Sequence, residues 1–167
     1  MIEYSFLRAV TFKYLHSLRF AMSLDDLISD VSALGGLPVY LVVSFVLLLT
    51  EQVGTFWRLI LGLLICYVII SGARSIFIRD RPKAMQFRTW WEKIDAGTVV
   101  SMHAMRAVVL AMVIMSIFRN IWVSTFLVVL ALLVSSTRIL MKKHYLADVA
   151  WGVGLGIAVG VVVLWVV

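Results

Sequence analysis

The chain has 167 residues, room for one domain, of which 63% are hydrophobic and 14% charged, with a mean hydropathy of +1.05. Soluble domains carry about 25% charged residues, so this composition excludes a water-soluble fold and makes lipid the main solvent. The net charge of +6 would suit nucleic acid in a soluble protein; here the charges are segregated along the chain, and an anionic membrane surface or a phosphorylated lipid accounts for them.

Residues 1–30 come first. Phe6, Val10, Tyr14 and Leu18 recur every four positions, interrupted by Arg8, Lys13 and Arg19. The pattern predicts an amphipathic helix lying at the interface, and the same cations break up any signal-peptide core. A full span here would carry an insertion cost of about 2.5–3.5 kcal/mol for each central Arg or Lys. Asp25, Asp26 and Asp30 then lead into the first of five apolar stretches: about Val31–Thr50, Gly54–Ala73, Gly97–Phe118, Ile121–Ser136 (extending past Thr137) and Leu146–Val167. A span needs roughly 20 apolar residues and must be helical, because lipid offers backbone polar groups no other partner. The expected fold is therefore all-α: a polytopic membrane bundle of five transmembrane helices forming one domain over 31–167, preceded by the interfacial helix region of 1–30.

The connections are unequal. Glu51–Val53 and Arg119–Asn120 are tight turns at one side of the membrane, whereas Arg74–Ala96 and Arg138–Tyr145 hold most of the charge at the other. Trp57, Trp122 and Trp165 form an interfacial belt at the tight-turn side, and Phe87, Trp90 and Trp91 belong to the opposite face. Cys66 is alone within an apolar run, so no disulfide framework exists. Gly152, Gly156 and Gly160, four apart on the last span, predict a small-residue stripe for close helix packing rather than a nucleotide loop, since no strand precedes them.

Three polar clusters stand at span ends on the charged side. Arg74 and Arg81 are seven apart and share a face if the helix continues to Pro82; alone, they read as a cationic flank at the headgroups. Ser101 is a natural N-cap for the third span, whose helix start offers free N–H groups and a positive dipole end to phosphate. His103 follows within an apolar run, where a lone histidine is ordinarily a packing residue. His144 and Asp148, four apart at the start of the last span, share a face one turn apart. A carboxylate there fixes the imidazole tautomer and stabilises its cation, and ionisable groups near lipid mark function.

Together the clusters meet the demands of phosphoryl transfer: cations for the equatorial oxygens, an in-line nucleophile and a proton donor for the leaving oxygen. Arg74, Arg81 and Arg138 supply the clamp. His144, oriented by Asp148, attacks phosphorus; His103 protonates the leaving group and then serves as base when water hydrolyses the phosphohistidine.

At these residues the sequence resembles the type 2 phosphatidic-acid phosphatases, or lipid phosphate phosphatases, whose signature has three parts. Arg74-x6-Arg81-Pro82 is similar to the family's Lys-x6-Arg-Pro, Val100-Ser101-Met102-His103 to its Pro-Ser-Gly-His, and Thr137-Arg138-x5-His144-x3-Asp148 to its Ser-Arg-x5-His-x3-Asp. The resemblance covers about Gly54–Val167 and implies catalysis by His144, His103 and Asp148. Arg74, Arg81, Ser101, Met102 and Arg138 would bind phosphate, with no metal and no cofactor, and no zinc-type His/Glu or His/Cys spacing is present. Arg for Lys exchanges a point charge for a fork, and Thr for Ser keeps a hydroxyl. Met102 stands where the family glycine lets backbone N–H approach phosphate; in helical geometry its N–H stays available, and its side chain is expected to turn towards lipid. The family core has six spans, and here the interfacial helix replaces the first.

The substrates implied are membrane lipids: undecaprenyl diphosphate, phosphatidylglycerol phosphate, phosphatidic acid or the phosphates of lipid A. A transporter is disfavoured because the spans keep their charges at one end rather than near the midplane. A phosphotransferase passing the phosphoryl group to another acceptor would use the same residues. Vanadium haloperoxidases share the motif set but are soluble. The Lys and Arg excess places the catalytic face in the cytoplasm, whereas the bacterial relatives work at the periplasmic face of the inner membrane. Phosphate binding itself requires that excess, so the periplasmic face is expected.

Overall fold

The computed structural model describes residues 24–76 and 99–166. These form six helices and no strand: α1 (Leu24–Ala33), α2 (Leu37–Leu49), α3 (Val53–Ile76), α4 (Met102–Phe118), α5 (Ile121–Leu140) and α6 (Leu146–Val166). The interfacial helix expected over the first residues, with Arg8, Lys13 and Arg19, lies outside the described residues except for its end. So do Arg81, Pro82, Phe87, Trp90 and Trp91.

Helices α3, α5 and α6, with 24, 20 and 21 residues, are each long and apolar enough to cross a membrane. The first predicted span differs. Val31–Thr50 is not one helix: α1 runs unbroken through Asp30 and Val31, and the chain bends by 45° before α2 resumes at Leu37. The reason lies in Gly35-Gly36-Leu37-Pro38. Gly36 caps α2 in extended geometry with Pro38 in the first turn, where its missing N–H costs nothing and its ring would block a preceding helix. Counted as one broken span, α1 and α2 bring the candidates to four. Helix α4 starts at Met102 instead of Gly97 and has only 17 residues, about 25 Å at 1.5 Å per residue.

Local chemistry sets the other boundaries. Asn120 caps α5, its Oδ1 accepting from the N–H groups of Trp122 and Val123 at 2.9 and 3.3 Å, and Arg119 ends α4 in the left-handed region at φ 43°. The turns at Glu51–Gln52 and Arg119–Asn120 face the same end, since Gln52 and Phe118 line one cavity. Trp57, Trp122 and Trp165 are exposed near that end. They match the predicted belt.

Helix α4 is the axle of the bundle. It packs against α3, α5 and α6, while α1 packs on α5 and α2 on α3. Met105, Val109 and Val113 are fully buried in a core shared with Tyr40, Leu59, Cys66 and Val163. The predicted glycine stripe seats α6 on α4. A Cβ at Gly152 would stand 2.6 Å from the Ser101 carbonyl oxygen, and one at Gly156 would stand 2.9 Å from that of Met105. Gly160 meets the flexible Met112 side chain, and Gly154 faces open space.

Candidate active site

The candidate site gathers where α5 ends and α4 and α6 begin. Helix α5 closes in a Schellman turn: the N–H of Lys142 donates to Ile139 O (2.9 Å) and that of Lys143 to Arg138 O (3.1 Å). Lys142 occupies the left-handed position at φ 53°, where glycine is usual. The same Arg138 carbonyl accepts the His144 N–H at 3.2 Å. One oxygen thus ties both ends of the Arg138–His144 interval, which gives the sequence spacing its physical reason.

Helix α6 begins with Asp148 in its first turn. Its Oδ2 accepts the Tyr145 N–H at 2.9 Å, satisfying a helix-start donor at the favourable end of the dipole. The same oxygen stands 3.8 Å from His144 Nδ1, an ion-pair distance, with both side chains 3% exposed. Asp148 therefore both caps the helix and faces the imidazole.

Helix α4 is pinned to this turn. The Ser101 N–H donates to the Asp148 carbonyl at 2.9 Å, and Ser101 Oγ accepts from Ala104 N at 3.5 Å. Ser101 is fully buried, and only a glycine at 152 allows α6 to lie this close to its carbonyl. The next amides, those of Met102 and His103, precede the first helical hydrogen bond, from Met105 N to Ser101 O at 3.1 Å, and point from the positive end of the helix. His103 is half-buried, and Arg138, Arg106, His144 and Lys143 all lie within electrostatic reach of it.

Of the predicted residues, the structure brings Ser101, His103, Arg138, His144 and Asp148 to one end of the bundle. Arg74, half-buried in the last turn of α3, reaches that same end. Arg81 lies outside the described residues. Met102 departs from expectation: its side chain does not turn towards lipid but is 8% exposed and joins the core cluster containing Cys66 and Ile70. Its helix is enclosed by α3, α5 and α6 at this level, so the first turn has no lipid side.

Three residues were missed by sequence reasoning. Ser32 on α1 accepts a hydrogen bond from Arg138 Nη1 at 2.7 Å across 106 positions of chain, with Ser32 itself 3% exposed; nothing local signals it. Gly35 brings the α1–α2 break against His103, where an added Cβ would meet the His103 carbonyl oxygen at 3.1 Å and Val134 at 2.6 Å. Arg106, one turn below His103, is 5% exposed and lies beside Tyr67, Cys66 and Tyr40. An arginine inside an apolar span was a visible signal.

Comparison with known proteins supplies independent context. A family model described as the PAP2 superfamily matches residues 55–167. The crystal structure of Aquifex aeolicus LpxE superposes with a TM-score of 0.72 at 21% identity, covering 94% of each chain, and is similar in fold. No curated protein matches the chain.

Proposed function

Given that the chain belongs to the PAP2 superfamily, we propose that it is an integral membrane lipid phosphatase that works through a phosphohistidine at His144. The observation that carries this reading is the convergence of two distant chain segments, with the Ser101 N–H bonded to the Asp148 carbonyl, so that His103 and His144 act on one another electrostatically.

In this mechanism the phosphate sits at the start of α4, receiving the amides of Met102 and His103 and the guanidinium groups of Arg138, Arg74 and Arg81. Asp148 faces Nδ1 of His144 and orients the ring, so Nε2 attacks phosphorus. The P–N bond forms as the ester P–O bond breaks, and His103 gives the leaving oxygen its proton. Water then attacks phosphorus, His103 takes the proton, and P–N cleavage returns neutral His144 and inorganic phosphate. The cations supply the charge stabilisation, and the proposed mechanism uses no metal ion.

The membrane reading has the α1–α2 pair, α3, α4, α5 and α6 each crossing the bilayer of the inner membrane as one domain, with the chain ahead of α1 at the interface and the catalytic end periplasmic. The headgroup enters the polar end while the chains stay in lipid. Undecaprenyl diphosphate, phosphatidylglycerol phosphate, phosphatidic acid and lipid A phosphates are the substrates to assay. Phosphate release from this panel in vesicles, beside His144→Ala, tests the proposal. Wild-type release, and radiolabelled phosphate retained on denatured wild type but not on the variant, is the expected result; activity intact in His144→Ala overturns it.

A further inference from the structure

Ser32 stands outside residues 55–167, the stretch matched by the family model, yet the fold carries it into the candidate site. The bend at Gly35-Gly36 makes this possible: α1 packs on α5, the helix of Arg138, while α2 packs on α3. Ser32 is 3% exposed, and its Oγ accepts from Arg138 Nη1 at 2.7 Å. Three residues on, the Gly35 N–H donates to the Ser32 carbonyl at 3.2 Å. Gly35 packs so closely on His103 that an added Cβ would stand 3.1 Å from its carbonyl oxygen and 3.3 Å from its Cβ. The segment Ser32–Gly35 therefore touches a candidate phosphate-binding cation with one end and the candidate acid with the other. It is a wall of the site.

The Ser32 hydroxyl is set apart by what it does with its hydrogen. Hydroxyls inside helices commonly donate to a carbonyl one turn back. Ser44 does so to Tyr40 at 2.8 Å, Ser135 to Ala131 at 2.7 Å and Thr137 to Val134 at 2.6 Å. Ser32 makes no such bond: among the described residues its oxygen accepts from Arg138 and its O–H donates to none. A buried donor without an acceptor is costly, and an oxygen that accepts from a guanidinium is polarised to donate more strongly. A negatively charged oxygen meets this demand best, because the same guanidinium attracts it.

We propose that Ser32 is a further phosphate-binding residue, its O–H donating to a phosphate oxygen that Arg138 also holds. This contact rests on the lipid phosphatase reading and adds to it a ligand supplied by the first, broken span. Hydroxyl and guanidinium then act as one unit, with Arg138 fixed by Ser32 and both turned to the same anion.

The test uses the full chain in detergent with orthovanadate as the probe, an anion that adopts the five-coordinate shape of phosphorus under attack. Its affinity is read from the thermal stabilisation it confers on wild type and Ser32→Ala, and the wild-type complex is crystallised. Expected is binding weaker by about tenfold or more in Ser32→Ala, the loss of one hydrogen bond to a charged group. In the wild-type complex, Ser32 Oγ should lie within about 3 Å of a vanadate oxygen. An oxygen beyond hydrogen-bond reach overturns the contact and leaves Ser32 as a support for Arg138 alone; unchanged affinity in Ser32→Ala overturns it too. If Ser32→Ala fails to fold, the wild-type complex decides. An active wild type that orthovanadate does not stabilise overturns the contact alone. A wild type that neither binds orthovanadate nor releases phosphate from the lipid panel overturns it together with the phosphatase reading.

Discussion

Asp148 holds two partners with one oxygen, and this separates its structural role from its electrostatic one. Asp148→Asn keeps an acceptor for the Tyr145 N–H but removes the charge facing His144 Nδ1. Turnover is expected to fall by about 10²-fold or more, with a thermal midpoint close to that of wild type; a large drop in both would mean that the carboxylate mainly holds the turn. Ser32→Ala removes a charge-assisted bond to buried Arg138, of the kind contributing about 1.5–3 kcal/mol. KM for the lipid phosphate should rise as the guanidinium loses its fixed direction, measurable by initial rates in micelles. The His144–Asp148 pairing was legible from its four-residue spacing, but the shared helical face expected for it was not its cause: His144 lies in the turn before α6, held by the Arg138 carbonyl. Ser32 was not legible, since no local pattern reports a contact made across so much chain. Met102 misled for a related reason: side chains facing lipid and side chains facing the core are equally apolar, so composition cannot separate them.

The contact between α4 and α6 sets the site at the level of elements. At Gly152 a Cβ would press into the Ser101 backbone carbonyl, and backbone cannot yield as a flexible side chain does. Gly152→Ala is expected to cost about 1–3 kcal/mol and to reduce activity by shifting the start of α4 away from Asp148. Gly154→Ala, facing open space, should be neutral or stabilising by up to about 1 kcal/mol. Paired unfolding and activity measurements check both; equal effects at the two positions would contradict the packing account. This stripe was readable from spacing, as were the caps at Ser101 and the turn at Arg119–Asn120. The break in the first span was not taken from the sequence, although Gly35-Gly36 followed by Pro38 carries the signal: hydropathy continues smoothly across residues 31–50 and masks a change of direction.

For the whole molecule, the alternation of the helices sends the α5–α6 turn and the α4–α5 turn to opposite surfaces. Lys142 and Arg119 are exposed at those two ends, and the native Cys66 is buried, so introduced cysteines report orientation cleanly. With the catalytic end periplasmic, a membrane-impermeant maleimide should label Lys142→Cys in cells whose outer membrane alone is permeabilised, and Arg119→Cys only after lysis. The reverse pattern would place the site in the cytoplasm. General class and membrane character were legible from composition alone, because no arrangement of water-facing helices could hide that much apolar surface. The sidedness was not, since the same cations serve both topology and phosphate.

Helix α4 also bears on how the protein is made. It is the shortest candidate span, and it carries Arg106 one turn from its start, a residue whose insertion cost reaches about 2.5–3.5 kcal/mol at a helix centre and is smaller near an end. Alone it is a poor client for partitioning into the bilayer. Its turn to α5 is two residues long, so the pair can leave the translocon as a hairpin, with the arginine shielded as α3 closes over it. In a glycosylation-reporter assay, the α4 segment by itself should insert inefficiently, and adding α5 and α3 should rescue it. The helix at the centre of the finished enzyme is thereby the one most dependent on its neighbours for reaching the membrane.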